Sequence, residues 1–147
     1  MAISLASIKR NTQKPPKIVI YGVPGIGKTK WASQAPNPIF ICAEDGLGQI
    51  YVPHFPRARS YADVLDAITA LYNEQHDFGT VVLDTIDALE PLIWAHVVAT
   101  VAHEKGRPVA NIEDYGFGKG YVHAQREWLT LLRGLDALRD ERGMAVI

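Results

Sequence analysis

Four short apolar runs divide the chain, and between them the apolar positions recur at helical spacing. The runs cover residues 18–21, 39–42, 80–83 and 144–147. Successive positions in each are apolar or β-branched without alternation, as expected of parallel strands covered on both faces. Breakers frame them: Pro15 and Pro16 precede the first, Gly22 ends it, and Pro36-Asn37-Pro38 leads into the second. Ser60 with Asp63 three residues later has the spacing of a capping box, ahead of Val64, Leu65, Ile68, Leu71 and Tyr72. Asp87 and Glu90 repeat that spacing ahead of Leu92, Ile93, Val97, Val98 and Val101, which puts Pro91 in the first turn of a second helix. A third helix is predicted over 121–142, with Trp128, Leu131, Leu132, Leu135 and Leu138 on one stripe and Gly143 as its stop. Strands alternating with helices predict an α/β fold with a mostly parallel sheet and right-handed crossovers. Residues 103–120 stand outside this rhythm. They carry Gly106, Pro108, Gly116, Gly118 and Gly120, and so long a connection in a compact domain marks a functional or disordered loop.

The composition changes this picture little. At 147 residues, 48 % hydrophobic and 21 % charged, the chain suits one globular domain with a real core. A net charge of −1 gives no global reason to expect nucleic acid or membrane. The charge is uneven, however: Lys9, Arg10, Lys14 and Lys17 lie in a stretch without acidic residues. Residues 1–16 therefore read as a basic arm, either a solvated tail or a contact for a polyanion, ahead of a core over 17–147. The lone Cys42 sits in an apolar run, so it reads as a small core residue and not a nucleophile. Cysteine usage and the absence of a secretory pattern or a bilayer-spanning run predict a cytoplasmic protein with no membrane partner.

Chemistry enters at Gly22-Val23-Pro24-Gly25-Ile26-Gly27-Lys28-Thr29, which satisfies G-x-x-x-x-G-K-[ST]. Glycines let the backbone curl so that successive N–H groups point at phosphate oxygens, and the following helix faces its positive end to the same anion. Lys28 is placed to reach the β- and γ-phosphates, and the Thr29 hydroxyl to ligate Mg²⁺. A strand before the motif and a helix after it supply the context that the chemistry needs.

The second half of such a site is an acidic residue at the end of a buried strand. Asp84, closing residues 80–84, fits as a Mg²⁺ holder acting through water; its other reading is the N-cap of the next helix. Hydrolysis also requires a group that orients or deprotonates water. Many P-loop ATPases carry a glutamate directly after the aspartate, where this chain has Thr85. Glu44 emerges at the carboxyl end of the neighbouring run 39–43, the edge where open α/β sheets bind ligands, and is the first candidate for the base. Asp45 and Asp87 are weaker candidates.

With Ala43-Glu44 at one strand end and Val82-Leu83-Asp84-Thr85 at the next, the chain resembles the RecA-like branch of P-loop ATPases. Residues 21–29, 43–48, 84–94 and 112–121 are similar to ATP-binding proteins of bacteriophages, described as AAA-type ATPases and in part as Sak-type single-strand annealing proteins. The resemblance implies a three-layer α/β/α P-loop NTPase with ATP and Mg²⁺ as cofactors. It implies Glu44 as base, Thr29 and Asp84 at the metal, and Gly25, Gly27 and Lys28 on phosphate. It further implies recombination or replication in a host cytoplasm, a homo-oligomer in the full-length form, and single-stranded DNA and a phage single-strand-binding protein as partners. The loop 103–120 corresponds to the region approaching DNA, with Lys105, Arg107 and Lys119 for phosphates and Tyr115 or Phe117 for stacking on bases; Glu104, Glu113 and Asp114 oppose that role. A structural or subunit-contact loop is the other reading. In the family a γ-phosphate sensor and further strands follow the fourth, so the chain reads as truncated at Ile147, incomplete after its fourth core strand.

Other classes fit less well. Asp45-Gly46-Leu47-Gly48 matches a D-x-x-G switch by letter, but it follows the phosphate loop too closely for a regulatory GTPase and no N-K-x-D motif occurs. A small-molecule kinase needs a lid with several arginines, and residues 48–60 offer Arg57 and Arg59. A nucleotide-gated binding module without productive turnover is a further alternative. Arg126, Arg133, Arg139 and Arg142 are candidate interface cations for an oligomer.

Overall fold

The computed structural model describes residues 3–147. Three parallel strands, β1 (Pro38–Cys42), β2 (Thr80–Asp84) and β3 (Ala145–Val146), lie side by side in that order. The β1–β2 register runs from Pro38 against Thr80 to Cys42 against Asp84, so both strands end at the same edge. The Ala43 N–H donates to the Asp84 carbonyl at 2.9 Å and adds one rung beyond the strands, which brings the chain at Glu44 out beside the end of β2.

The helices α2 (Tyr61–Asn73), α3 (Ile86–Thr100) and α4 (Lys119–Glu141) pack on one face of the sheet. There Ile39, Ile41, Val81 and Val146 meet Val64, Ile68, Leu71, Leu89, Ile93, Val97, Leu131, Leu135 and Leu138 in one core. The short α1 (Lys28–Ala32) belongs to the opposite face, where Ala32 packs with Phe40, Cys42 and Val82 beneath Leu47, Val52 and Ile147. Burial of most consecutive positions in β1 and β2 follows from this two-sided cover. The outer edge of β1 is occupied as well. Phe40 donates to the Pro53 carbonyl at 3.0 Å and accepts from Phe55 at 2.9 Å, while Ala58 donates to Cys42 at 2.9 Å. The architecture is an α/β P-loop NTPase fold.

Several local expectations need correction. The run 18–21 is not a full strand: pairing is confined to a bridge between Lys17 and Val146, with Ile18 donating to Val146 and Val146 to Pro16. Val19 and Tyr21 (93 % exposed) have no layer over them, so the two-sided cover inferred from their apolar character fails here. Helix α3 is capped by Thr85, whose Oγ1 accepts the Ala88 N–H at 3.3 Å, and not by Asp87. Pro91 therefore falls in the second turn. Its missing N–H removes one intrahelical donor to the Asp87 carbonyl, at an exposed position of the helix. On α4, Leu132 is exposed while Leu131, Leu135 and Leu138 are buried, because the packed stripe is one position narrower than the apolar pattern.

The capping box of α2 forms as its spacing predicts. Ser60 Oγ accepts the Asp63 N–H at 3.2 Å, and Asp63 Oδ2 accepts the Arg59 and Ser60 N–H groups at 2.8 and 2.9 Å. The basic arm is tied to the core from residue 14 onward. Lys14 pairs with Asp140 at 2.8 Å, Lys17 with Asp136, and Arg139 Nε donates to the Pro15 carbonyl at 2.6 Å. Acidic residues of α4 thus neutralise Lys14 of the arm and Lys17 at the start of the core. Of the candidate interface arginines, Arg139 is engaged in this way and Arg142 caps the carbonyls of Tyr72 and Glu74 at 2.8 and 2.9 Å, whereas Arg126 and Arg133 lie exposed.

Candidate functional site

The loop 22–27 leaves the 16–18 pairing segment and turns directly into α1. Gly25 and Gly27 have φ of 81° and 101°, in the left-handed region where a β-carbon is strained, and Gly27 is the N-cap of α1. Gly22 answers a different need: an added β-carbon would lie 3.2 Å from Ile26 Cγ2. Val23 and Ile26 are exposed, as expected of loop positions that supply backbone and not packing. The Lys28 ammonium donates to the carbonyls of Gly22 and Val23 at 2.8 and 3.3 Å, so it lies within the curve of the loop. Helix α1 spans five residues, so its dipole is weaker than that of a long helix.

Thr29, in the first turn of α1, donates from Oγ1 to Asp84 Oδ2 at 2.9 Å across 55 positions of sequence. Asp84 is 7 % exposed and accepts this bond at the end of β2. Two hard oxygen ligands thus meet beside the phosphate loop. Among the described residues, no three His, Cys, Asp or Glu side chains gather as a metal-holding group. Mg²⁺ needs none, since it is commonly bound through one or two protein oxygens together with phosphates and water. The chemistry of the donor set fits Mg²⁺–nucleotide, and Thr29 and Asp84 are the residues that would hold it.

Glu44 lies one residue beyond the last rung of β1, on the exposed edge. Its Oε1 accepts a hydrogen bond from Thr85 Oγ1 at 2.7 Å. Consecutive residues of β2 and its exit therefore serve two partners: Asp84 meets Thr29 and Thr85 meets Glu44. The peptide bond joining Asp84 and Thr85 is cis. Thr85 was not among the residues singled out from sequence, where it counted only as a missing glutamate. A threonine directly before a helical run is a favoured N-cap, and that signal was available. Neither Asp45 nor Asp87, the weaker base candidates, has a hydrogen bond to this group; both are exposed. Cys42 is buried beneath the same edge, and burial, then the carboxylates of Asp84 and Glu44, push its thiol up to about 11. That keeps it a neutral core residue.

The loop 103–120 is built, not loose. Asn111 and Asp114 cap a 3₁₀ turn, Ile112–Tyr115, and Asp114 Oδ2 accepts the N–H groups of Ala110 and Asn111 at 2.7 and 3.1 Å. Tyr115 is 4 % exposed and its hydroxyl meets the carbonyls of Val97 and Val101 at 3.0 and 2.6 Å. The expectation that Tyr115 stacks on bases is therefore corrected: its ring is a core anchor closing the end of α3. Arg107 is exposed but donates to the Asp114 carbonyl and to His103, and Lys119 is paired with Glu104 at 2.7 Å. Both are thus engaged within the loop, unlike the free phosphate contacts expected of them. Lys105 is exposed, and Phe117 is completely so (103 %), with φ of 49° between Gly116 at 73° and Gly118 at 70°. The spacing of Asn111 and Asp114 around Ile112 was the sequence signal for this turn.

A family model described as an AAA domain matches residues 14–147, nearly the whole chain. Comparison with curated proteins and with solved structures gives no match.

Proposed function

The chain belongs to the AAA domain family, and from that premise we propose that it hydrolyses ATP with Mg²⁺ at the loop 22–29, using Glu44 as general base. One observation carries this reading: Asp84, hydrogen-bonded to Thr29 of the phosphate loop, and Glu44 leave adjacent parallel strands at the same sheet edge. Backbone N–H groups of the loop and the Lys28 ammonium bind and orient the β- and γ-phosphates. Thr29 and Asp84 are the residues that would hold Mg²⁺, which would supply neutralisation of the charge on the transferred phosphoryl group. The Glu44 carboxylate, with Oε1 held by Thr85, offers Oε2 to the attacking water as proton acceptor.

In the fuller form of this proposal, turnover is coupled to single-stranded DNA within a homo-oligomer acting in phage recombination or replication. The resemblance to RecA-like phage ATPases supports it, and so does Phe117, a bare aromatic ring in a turn closed by the Lys119 N–H on the Gly116 carbonyl, with Lys105 in the same loop. The test is ATP turnover with and without single-stranded DNA, in wild type, Glu44→Gln and Phe117→Ala. Glu44→Gln is expected to keep ATP binding and lose about 10²–10⁴-fold in rate. DNA stimulation is expected to fall in Phe117→Ala while the basal rate stays. Normal turnover in Glu44→Gln removes the assigned base. Absence of DNA binding removes the DNA half and leaves the ATPase half standing, and binding without turnover in wild type favours a nucleotide-gated module.

A further inference from the structure

We propose that Thr85 is a positioning residue that sets the orientation of the Glu44 carboxylate, a role that rests on the reading of Glu44 as the base. A threonine hydroxyl has one proton and two lone pairs. At Thr85 a lone pair is taken by the Ala88 N–H at 3.3 Å, as the N-cap of α3. The proton is directed to Glu44 Oε1 at 2.7 Å, a charge-assisted bond to a side chain otherwise on an exposed edge. An exposed glutamate has three rotatable side-chain bonds and loses substantial freedom when ordered. The Thr85 hydroxyl selects one arrangement, with Oε1 occupied and Oε2 left for water.

The placement of Thr85 makes the selection specific. Asp84 is fixed to Thr29 and the Ala43 N–H is fixed to the Asp84 carbonyl, so the backbone on either side of the Thr85–Glu44 bond is anchored. A hydrogen-bonded series then runs from Thr29 through Asp84 and Thr85 to Glu44. The phosphate loop and the base are thereby held in one frame, although β1 separates them in the chain. Helix α3 joins that frame through the same hydroxyl, and its far end is closed by Tyr115.

The experiment compares kcat and ATP affinity in Thr85→Val, Thr85→Ser and Thr85→Gly, each also in the Glu44→Gln background. Valine keeps the shape and loses the hydroxyl. Glycine loses the hydroxyl but remains an acceptable N-cap, so it serves where valine impairs folding. Serine keeps the hydroxyl. Thr85→Val and Thr85→Gly are expected to lower kcat about 10–100-fold with ATP affinity within about threefold, because misplacement of a catalytic group costs rate and not binding. Thr85→Ser is expected to restore most of the rate. In the Glu44→Gln background the Thr85 substitutions should change the remaining rate by less than about twofold, since both act on one step. A purely structural cap would instead slow both backgrounds alike. Wild-type kcat in Thr85→Gly, or equal losses in both backgrounds, overturns the positioning role while a slow Glu44→Gln keeps the base assignment. A wild-type rate in Glu44→Gln overturns both.

Discussion

Thr29 Oγ1 donates a 2.9 Å hydrogen bond to Asp84 Oδ2, joining the first turn of α1 to the buried end of β2. Two motif halves far apart in sequence become one polar cluster through this contact. Asp84→Asn keeps the size of the side chain and removes the charge that a divalent cation requires. The Mg²⁺ concentration giving half-maximal ATP binding is expected to rise about 10–100-fold, as when a group supporting a metal's coordination is lost. A Mg²⁺ titration at fixed ATP measures it, and an unchanged midpoint would leave Asp84 a structural partner of Thr29.

The loop 103–120 should behave as folded structure. Tyr115→Phe strips the hydroxyl from the carbonyls of Val97 and Val101, and a loss of roughly 1–2 kcal/mol is expected. Gly120 is more demanding, since an added β-carbon would lie 2.0 Å from the Ile112 carbonyl oxygen and 2.9 Å from Tyr115. Gly120→Ala is expected to cost about 1–3 kcal/mol or more, against any gain in helix propensity. Urea unfolding of both variants decides the matter; wild-type midpoints would mean that the loop does not support the core.

Acid should weaken the molecule through its capping carboxylates. Backbone N–H bonds from Arg59 and Ser60 hold Asp63 below its ordinary range, and those from Ala110 and Asn111 do the same for Asp114. A group with a lowered folded pKa contributes stability that is present above its unfolded value. That stability is lost as the pH falls from about 4 through the folded value. The melting temperature of wild type should therefore drop between about pH 4 and pH 2 more steeply than that of Asp63→Asn or Asp114→Asn. Parallel curves for all three would remove the capping bonds as the cause.

Much of this site was legible because its parts obey local rules. The phosphate loop is a contiguous motif, and Asp84 and Glu44 end apolar runs whose strand character is plain from β-branched residues. Ser60 with Asp63 shows its cap in its spacing. What escaped depends on neighbours distant in sequence. Tyr115 looked like a surface aromatic in a glycine-rich segment, yet it is drawn inward by the open carbonyls at the end of α3. Residues 18–21 have the composition of a covered strand, while in the fold only their start pairs with Val146 and Tyr21 stands exposed. Thr85 has two partners, one local and one across 41 positions, and the local pattern discloses only the cap.

A Mg²⁺–nucleotide site at residues 22–29 and Asp84 requires that ATP binding depend on both the metal and Lys28. Calorimetric titration of ATP into the protein, with Mg²⁺ and with EDTA, in wild type and Lys28→Ala, tests it most directly. Wild type is expected to bind saturably and only with Mg²⁺, and Lys28→Ala at least about tenfold more weakly, since it lacks a charged phosphate contact. Equal binding by the two proteins, or no binding by wild type in Mg²⁺, would contradict it.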